Sequence, residues 1–186
     1  RTLRGMTSDP RLHDSPAAPA RGGWAARPDT RLGAGLRIVL PAIWLGLLIG
    51  ISLLEAPLKF QAPGITIPLG LGIGRLVFTA MNAVEVVLAL VLLFATLRAG
   101  VGTVQRGLTW ALTAVLLIKV AGIRPLLNRR TDMVLAGVDD GGSSWHYLYI
   151  AADGLLIVGL AVLLVVAVRA SVRPLSAPAD RTPEPV

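Results

Sequence analysis

Two carboxylates stand in apolar stretches that should carry none. Glu85 lies near the middle of Arg75-Leu-Val-Phe-Thr-Ala-Met-Asn-Ala-Val-Glu85-Val-Val-Leu-Ala-Leu-Val, and Asp153 lies in the run opened by Trp145-His-Tyr-Leu-Tyr-Ile-Ala-Ala-Asp153. A carboxylate at the centre of a membrane helix costs roughly 2.5 to 3.5 kcal/mol on insertion scales, so each acid needs a partner within the protein. Lys119, inside another apolar run, is the evident counter-ion. Two acids then compete for one cation, and one of them is free to carry a proton.

Helical spacing gathers further polar side chains around these three. Asn82 and Glu85 are i and i+3, and His146, Tyr149 and Asp153 share one face through the i+3 and i+7 relations. Phe78, Asn82 and Glu85 would then face His146, Tyr149 and Asp153. As chemistry, the cluster is a proton or solute site, with Glu85 and Asp153 as carriers, Lys119 as charge partner and His146 as a relay at the mouth. As architecture, the same residues form a satisfied polar knot that holds the helices in register. Both readings stay open at this level. Glu55 and Lys59 pair as i and i+4 near the membrane surface, and Arg75 and Arg124 read as interfacial flanks.

Other chemistries find no residues to carry them. The chain of 186 residues has no Cys and two His, which rules out disulfides, thiolate nucleophiles and bis-histidine haem by a single copy, since His13 falls in the N-terminal tail and His146 far from it. There is no Gly-x-Ser-x-Gly, His-Glu-x-x-His or Walker loop; Gly70-Leu-Gly-Ile-Gly74 lacks the spacing of a phosphate cradle. An intramembrane enzyme built on the acid pair would need a nucleophile or a metal set, and neither accompanies it. The expectation is a protein that is not an enzyme and uses no cofactor. The net charge of +7 does not point to nucleic acid, because the arginines punctuate the apolar runs instead of lining one polar face.

The elements that position the acids follow from composition. At 54% hydrophobic, the chain is too apolar for a soluble domain, and each span needs about 20 apolar residues, so an all-α membrane protein with four transmembrane helices fits its length. The spans are expected at about 36–56, 75–97, 104–123 and 145–168, within a bundle covering 36–168. Tails of Arg/Pro/Ala-rich sequence at 1–35 and 169–186 have too little apolar surface to order themselves. Pro57 is expected to stop the first span and Arg124-Pro125 the third. The Gly/Pro-rich stretch 61–74 reads as an apolar loop at headgroup level, with a re-entrant dip as the alternative. The stretch 128–144 reads as a polar, flexible loop. At about 1.5 Å per residue, Glu55, Lys119, Asp153 and Glu85 lie about 3, 8, 12 and 15 Å from the same boundary.

Orientation rests on Lys and Arg near the span ends. Arg21, Arg27, Arg31, Arg37, Arg98, Arg106, Arg169, Arg173 and Arg181 fall on one side, against Lys59, Arg75, Arg124, Arg129 and Arg130 on the other, and nine against five places both termini in the cytoplasm of an inner-membrane protein. The first apolar run starts too late for a secretory signal and lacks its cleavage site. Opening on Arg1, the chain reads as a trimmed product or as a frame whose start is Met6. Trp44, Trp110, Trp145, Tyr147 and Tyr149 read as interfacial anchors, Trp44 least so because it lies some turns inside. Gly46 and Gly50 form a small-xxx-small pair suited to close helix packing.

A shift of 68 residues superposes Pro57 on Pro125, Leu58 on Leu126, Ala83 on Ala151 and Glu85 on Asp153. A duplication of that kind gives two tandem parallel two-helix repeats about an axis along the membrane normal.

The second half, Ile118-Lys-Val-Ala-Gly-Ile-Arg-Pro125-Leu-Leu-Asn followed by His146 opening the last span, resembles small four-helix integral membrane proteins of uncharacterised function. That domain-of-unknown-function group includes the transmembrane protein linked to cisplatin resistance. The likeness covers about 36–168. Glu55-Ala-Pro-Leu-Lys-Phe departs from it and is similar instead to a bacterial membrane family with Glu-Ala-Pro-x-Lys-Phe and Gly-Arg-x-x-Phe-x-x-x-Asn-x-x-Glu elements. The resemblance implies the fold and no activity. The expected function is proton-linked transport of a small solute, or else an accessory subunit docked on a larger membrane complex; beyond the lipid bilayer, a second copy or such a complex is the expected partner.

Overall fold

The computed structural model describes residues 30–98, 100–138 and 144–172. Of the tails expected at 1–35 and 169–186, residues 1–29 and 173–186 lie outside the described residues, whereas 31–35 and 169–172 are helix, continuous with the spans they flank. Four helices carry the fold: α1 (Arg31–Gln61), α2 (Ile67–Thr96), α3 (Thr103–Leu135) and α4 (Ser144–Val172), each long and apolar enough to cross a membrane, with no strand among the described residues. The chain is a multi-pass, all-α membrane protein. At about 1.5 Å per residue the helices are about 44–50 Å long, so they project beyond a hydrocarbon core of about 30 Å.

The prolines do not end α1 and α3. Each helix instead widens just before its proline, in π-helical turns at Ile49–Glu55 and Ile118–Ile123. The Ala56 N–H bonds the Ile51 carbonyl and the Arg124 N–H bonds the Lys119 carbonyl, five residues back in both cases. A proline has no N–H and crowds the carbonyl four residues earlier; the wide turn moves that carbonyl aside and lets the helix continue. The stretch 128–135, expected as loop, is therefore helix.

Stretch 61–74 is corrected in the same way, because its second half is the start of α2. Thr66 caps the helix by accepting from the Leu69 N–H at 3.4 Å, and Pro68 falls in the first turn, where its missing N–H is no loss. Two of its glycines lie where α1 leans on the helix: a Cβ at Gly74 would come within 2.9 Å of Lys59 Nζ, and one at Gly70 would overlap the Phe60 ring. Only a short turn remains, with Gly64 at φ +82°.

α1 packs on α2 and α4, and α3 packs on the same two, so the helices form a ring with α1 opposite α3 and α2 opposite α4. Helices related by the 68-residue shift thus occupy opposite corners, and the two wide turns precede the prolines that the shift superposes. Trp44 and Leu48, Met81 and Leu92, Leu112 and Leu116, and Leu156 and Leu160 fill the centre. Ile43, Phe94, Ile118 and Val158 face outward as lipid-facing residues do. Gly46 and Gly50 have no neighbour within 4 Å of an added Cβ, so they pack closely against no other helix among the described residues.

At the end carrying Arg31 and Val172, guanidinium groups satisfy the last carbonyls of α2 and the Arg98 carbonyl just beyond it. Arg37 donates to the Ala95 carbonyl at 3.2 Å, and Arg106 donates to those of Thr96 at 3.2 Å and Arg98 at 2.6 Å. These arginines are built into the fold as helix caps as well as flanks.

Candidate functional site

The four helices bring one polar cluster to the axis of the ring. The wide turn of α3 carries Lys119 inward, and that of α1 carries Ser52. Glu85 comes from α2 and Asp153 from α4, at registers equivalent under the 68-residue shift. Lys119 Nζ donates to Glu85 Oε2 at 2.7 Å, to Glu85 Oε1 at 3.0 Å and to Asp153 Oδ1 at 2.7 Å, using its three hydrogens. Trp44 Nε1 donates to Glu85 Oε1 at 2.9 Å, and the Ser52 hydroxyl donates to Asp153 Oδ2 at 2.7 Å. Lys119 and Glu85 are 0% exposed and Asp153 is 3% exposed. With both acids ionised the group holds two negative charges against one positive, so it has room for one proton.

A second layer lies toward the end of the bundle that carries Gln61 and Leu135. The Tyr149 hydroxyl donates to Asn82 Oδ1 at 3.0 Å, and the Tyr149 ring meets Phe78 edge-on at 5.6 Å between centroids. Lys119 Nζ lies 5.2 Å from the centre of the same Tyr149 ring. The facing of Phe78, Asn82 and Glu85 toward Tyr149 and Asp153, expected from helical spacing, is present. His146 is placed differently: it is exposed, its ring neighbour is Tyr147 at 6.3 Å, and it lines the cavity without bonding the acids.

That cavity measures about 560 Å³ and is bounded by all four helices, its polar lining including Ser52, Lys59, Arg75, Arg124, His146, Tyr149 and Asp153. Glu55 and Lys59 pair at 3.3 Å. Arg75 does not stand alone as a flank but pairs with Asp132 of the α3 extension. Arg124 is also more than a flank. It is buried, its Nη2 donates to the Arg75 carbonyl at 2.9 Å and the Thr79 hydroxyl at 3.1 Å, and it lies against Phe78 and Tyr149.

Among the described residues, no three His, Asp or Glu side chains gather as a metal site requires. The two inner acids already share an ammonium, which occupies the position a cation would take. Comparison of the chain with family models, with curated proteins and with solved structures finds no match.

Two members of the site escape a reading by residue type, Trp44 and Ser52. A signal exists: Trp44, Leu48 and Ser52 recur every four residues and so share the face of α1 that meets the acids.

Proposed function

We propose that this protein is a proton-linked carrier of a small solute in the inner membrane, with both termini in the cytoplasm. The observation that carries the proposal is that Asp153, one of two carboxylates sharing one lysine, lines a cavity of about 560 Å³. An ionisable group that is both short of a counter-ion and next to a solute-sized space can exchange a proton as the space fills and empties. Read as a two-plus-two repeat, α1–α2 and α3–α4 are the two halves that carriers built from parallel repeats move against each other. The excess of Lys and Arg beside the chain termini supports the orientation.

A second reading is an accessory subunit that docks on a larger membrane complex or on a second copy, with the cluster serving only packing. It is favoured by the completeness of the bonding, since every oxygen of Glu85 and Asp153 accepts a bond.

Carboxyl infrared absorption in lipid across a pH series separates the two. A band that titrates and disappears in Glu85→Gln or Asp153→Asn supports the carrier. No titrating carboxyl band would sink it in favour of a static knot.

A further inference from the structure

Pairing the charges around the cavity leaves two over, of opposite sign. Lys59 is matched by Glu55 and Arg75 by Asp132. Lys119 is shared by Glu85 and Asp153, which leaves one negative charge in excess when both are ionised. Arg124 has no acidic partner among the described residues. Its Nη2 donates to a carbonyl and a hydroxyl, and its guanidinium carbon lies 5.8 and 5.7 Å from the centres of the Phe78 and Tyr149 rings. It is 7% exposed and lines the cavity. A guanidinium has five N–H donors in a fork that matches a carboxylate, so this one keeps donors for an anion.

We propose that Arg124 seats the carboxylate of an organic monoanion whose apolar body fills the cavity, and that its binding draws one proton onto the Glu85–Asp153 pair. The inference rests on the carrier reading and names its substrate class. Leu53, Phe60, Leu71, Leu127 and Ile150 supply the apolar lining, and the volume falls in the range of about 300–1,000 Å³ typical of small-molecule pockets. A single unmatched guanidinium accommodates one negative charge; Lys59 and Arg75 are already engaged.

The linkage follows from charge balance. The Tyr149 ring stands between the acid pair and Arg124, 5.2 Å from Nζ of Lys119, the cation that the pair shares, and 5.7 Å from the Arg124 guanidinium. In the empty site, the excess negative charge of the acid pair and the positive charge of Arg124 offset each other through a medium of low dielectric. An anion on Arg124 removes that offset, and a proton taken from water by the pair restores neutrality. Asp153 lines the cavity and is the point of entry. The other groups facing the pair do not supply that proton: Trp44 and Ser52 of α1 already donate to it, Tyr149 donates to Asn82, and Glu55, Lys59, Arg75 and Asp132 are matched to one another. His146, exposed at the cavity wall, is a route for the proton and not its destination. Anion and proton enter together, with no net charge moved.

The test uses the full chain in phosphatidylcholine nanodiscs, with decanoate as the probe and decanol as its uncharged counterpart. Calorimetry in two buffers of different ionisation enthalpy reads affinity and proton uptake together. Decanoate should bind about tenfold or more tightly than decanol, as a charge-assisted bond implies, with about one proton taken up per decanoate. Arg124→Gln should abolish the preference and Arg124→Lys should keep it. If Arg124→Gln does not fold, the wild-type preference and proton count decide alone. Equal binding of decanol, decanoate binding without proton uptake, or abolition of decanoate binding by phosphatidylglycerol in the disc would each overturn the assignment. A carboxyl band that still titrates in the infrared would then leave the carrier reading standing; without one, both fall.

Discussion

The ammonium of Lys119 lies 2.7 Å from Glu85 Oε2, with neither side chain exposed. In a membrane interior such a pair is held less by its net stability than by the cost of breaking it, because removing one partner strands the other charge out of water. The asymmetry of this cluster, one cation for two acids, decides which change matters most.

Lys119→Met should therefore destabilise the bundle by about 3–5 kcal/mol, the range for a broken buried pair. Glu85→Gln and Asp153→Asn leave Lys119 one acid each and should cost about 1–3 kcal/mol. Melting temperatures in a mild detergent measure the order, and equal values for the three variants would count against a shared cluster.

Trp44→Phe keeps the ring packing and removes only the indole N–H that Glu85 Oε1 accepts at 2.9 Å. Because Lys119 still reaches that oxygen at 3.0 Å, the loss should be about 1 kcal/mol. Combined with Glu85→Gln, its effect should be less than additive. Full additivity in a double-mutant cycle would show that Trp44 acts on packing alone.

Gly159 marks the close approach of α4 to α3. A Cβ there would stand 3.5 Å from Leu112 Cγ, with a methyl of Leu112 closer still. Gly159→Val should destabilise by about 1–3 kcal/mol, as overpacking does. Adding Leu112→Ala should recover part of that loss, and failure of this rescue would mean that the glycine serves another purpose.

An even number of crossings places Arg31 and Val172 at the same end of the bundle. A reporter fused after Val186 should be active only as a cytoplasmic reporter, and one inserted at Gly64 only as an external one. The reverse pattern would invert the orientation argued from Lys and Arg.

The elements could be read from the sequence because helix formation in a membrane depends on local apolar length, which is a property of consecutive residues. Four spans, the i and i+4 pair of Glu55 with Lys59, and the convergence of Glu85, Asp153 and Lys119 all follow from hydropathy, helical spacing and the cost of an unpaired buried charge. What the tertiary structure decided is rotation and continuity. Pro57 and Pro125 read as terminators by their own chemistry, yet the wide turns before them carry α1 and α3 onward, to Gln61 and Leu135. Those turns also set the direction in which Ser52 and Lys119 point, which no linear period predicts. The roles of Trp44 as a donor to Glu85 and of Arg124 as a buried wall of the cavity likewise depend on which helix faces are brought together. Local sequence specifies what can be a helix and which charges must be matched; the packing of one helix on another selects the partners.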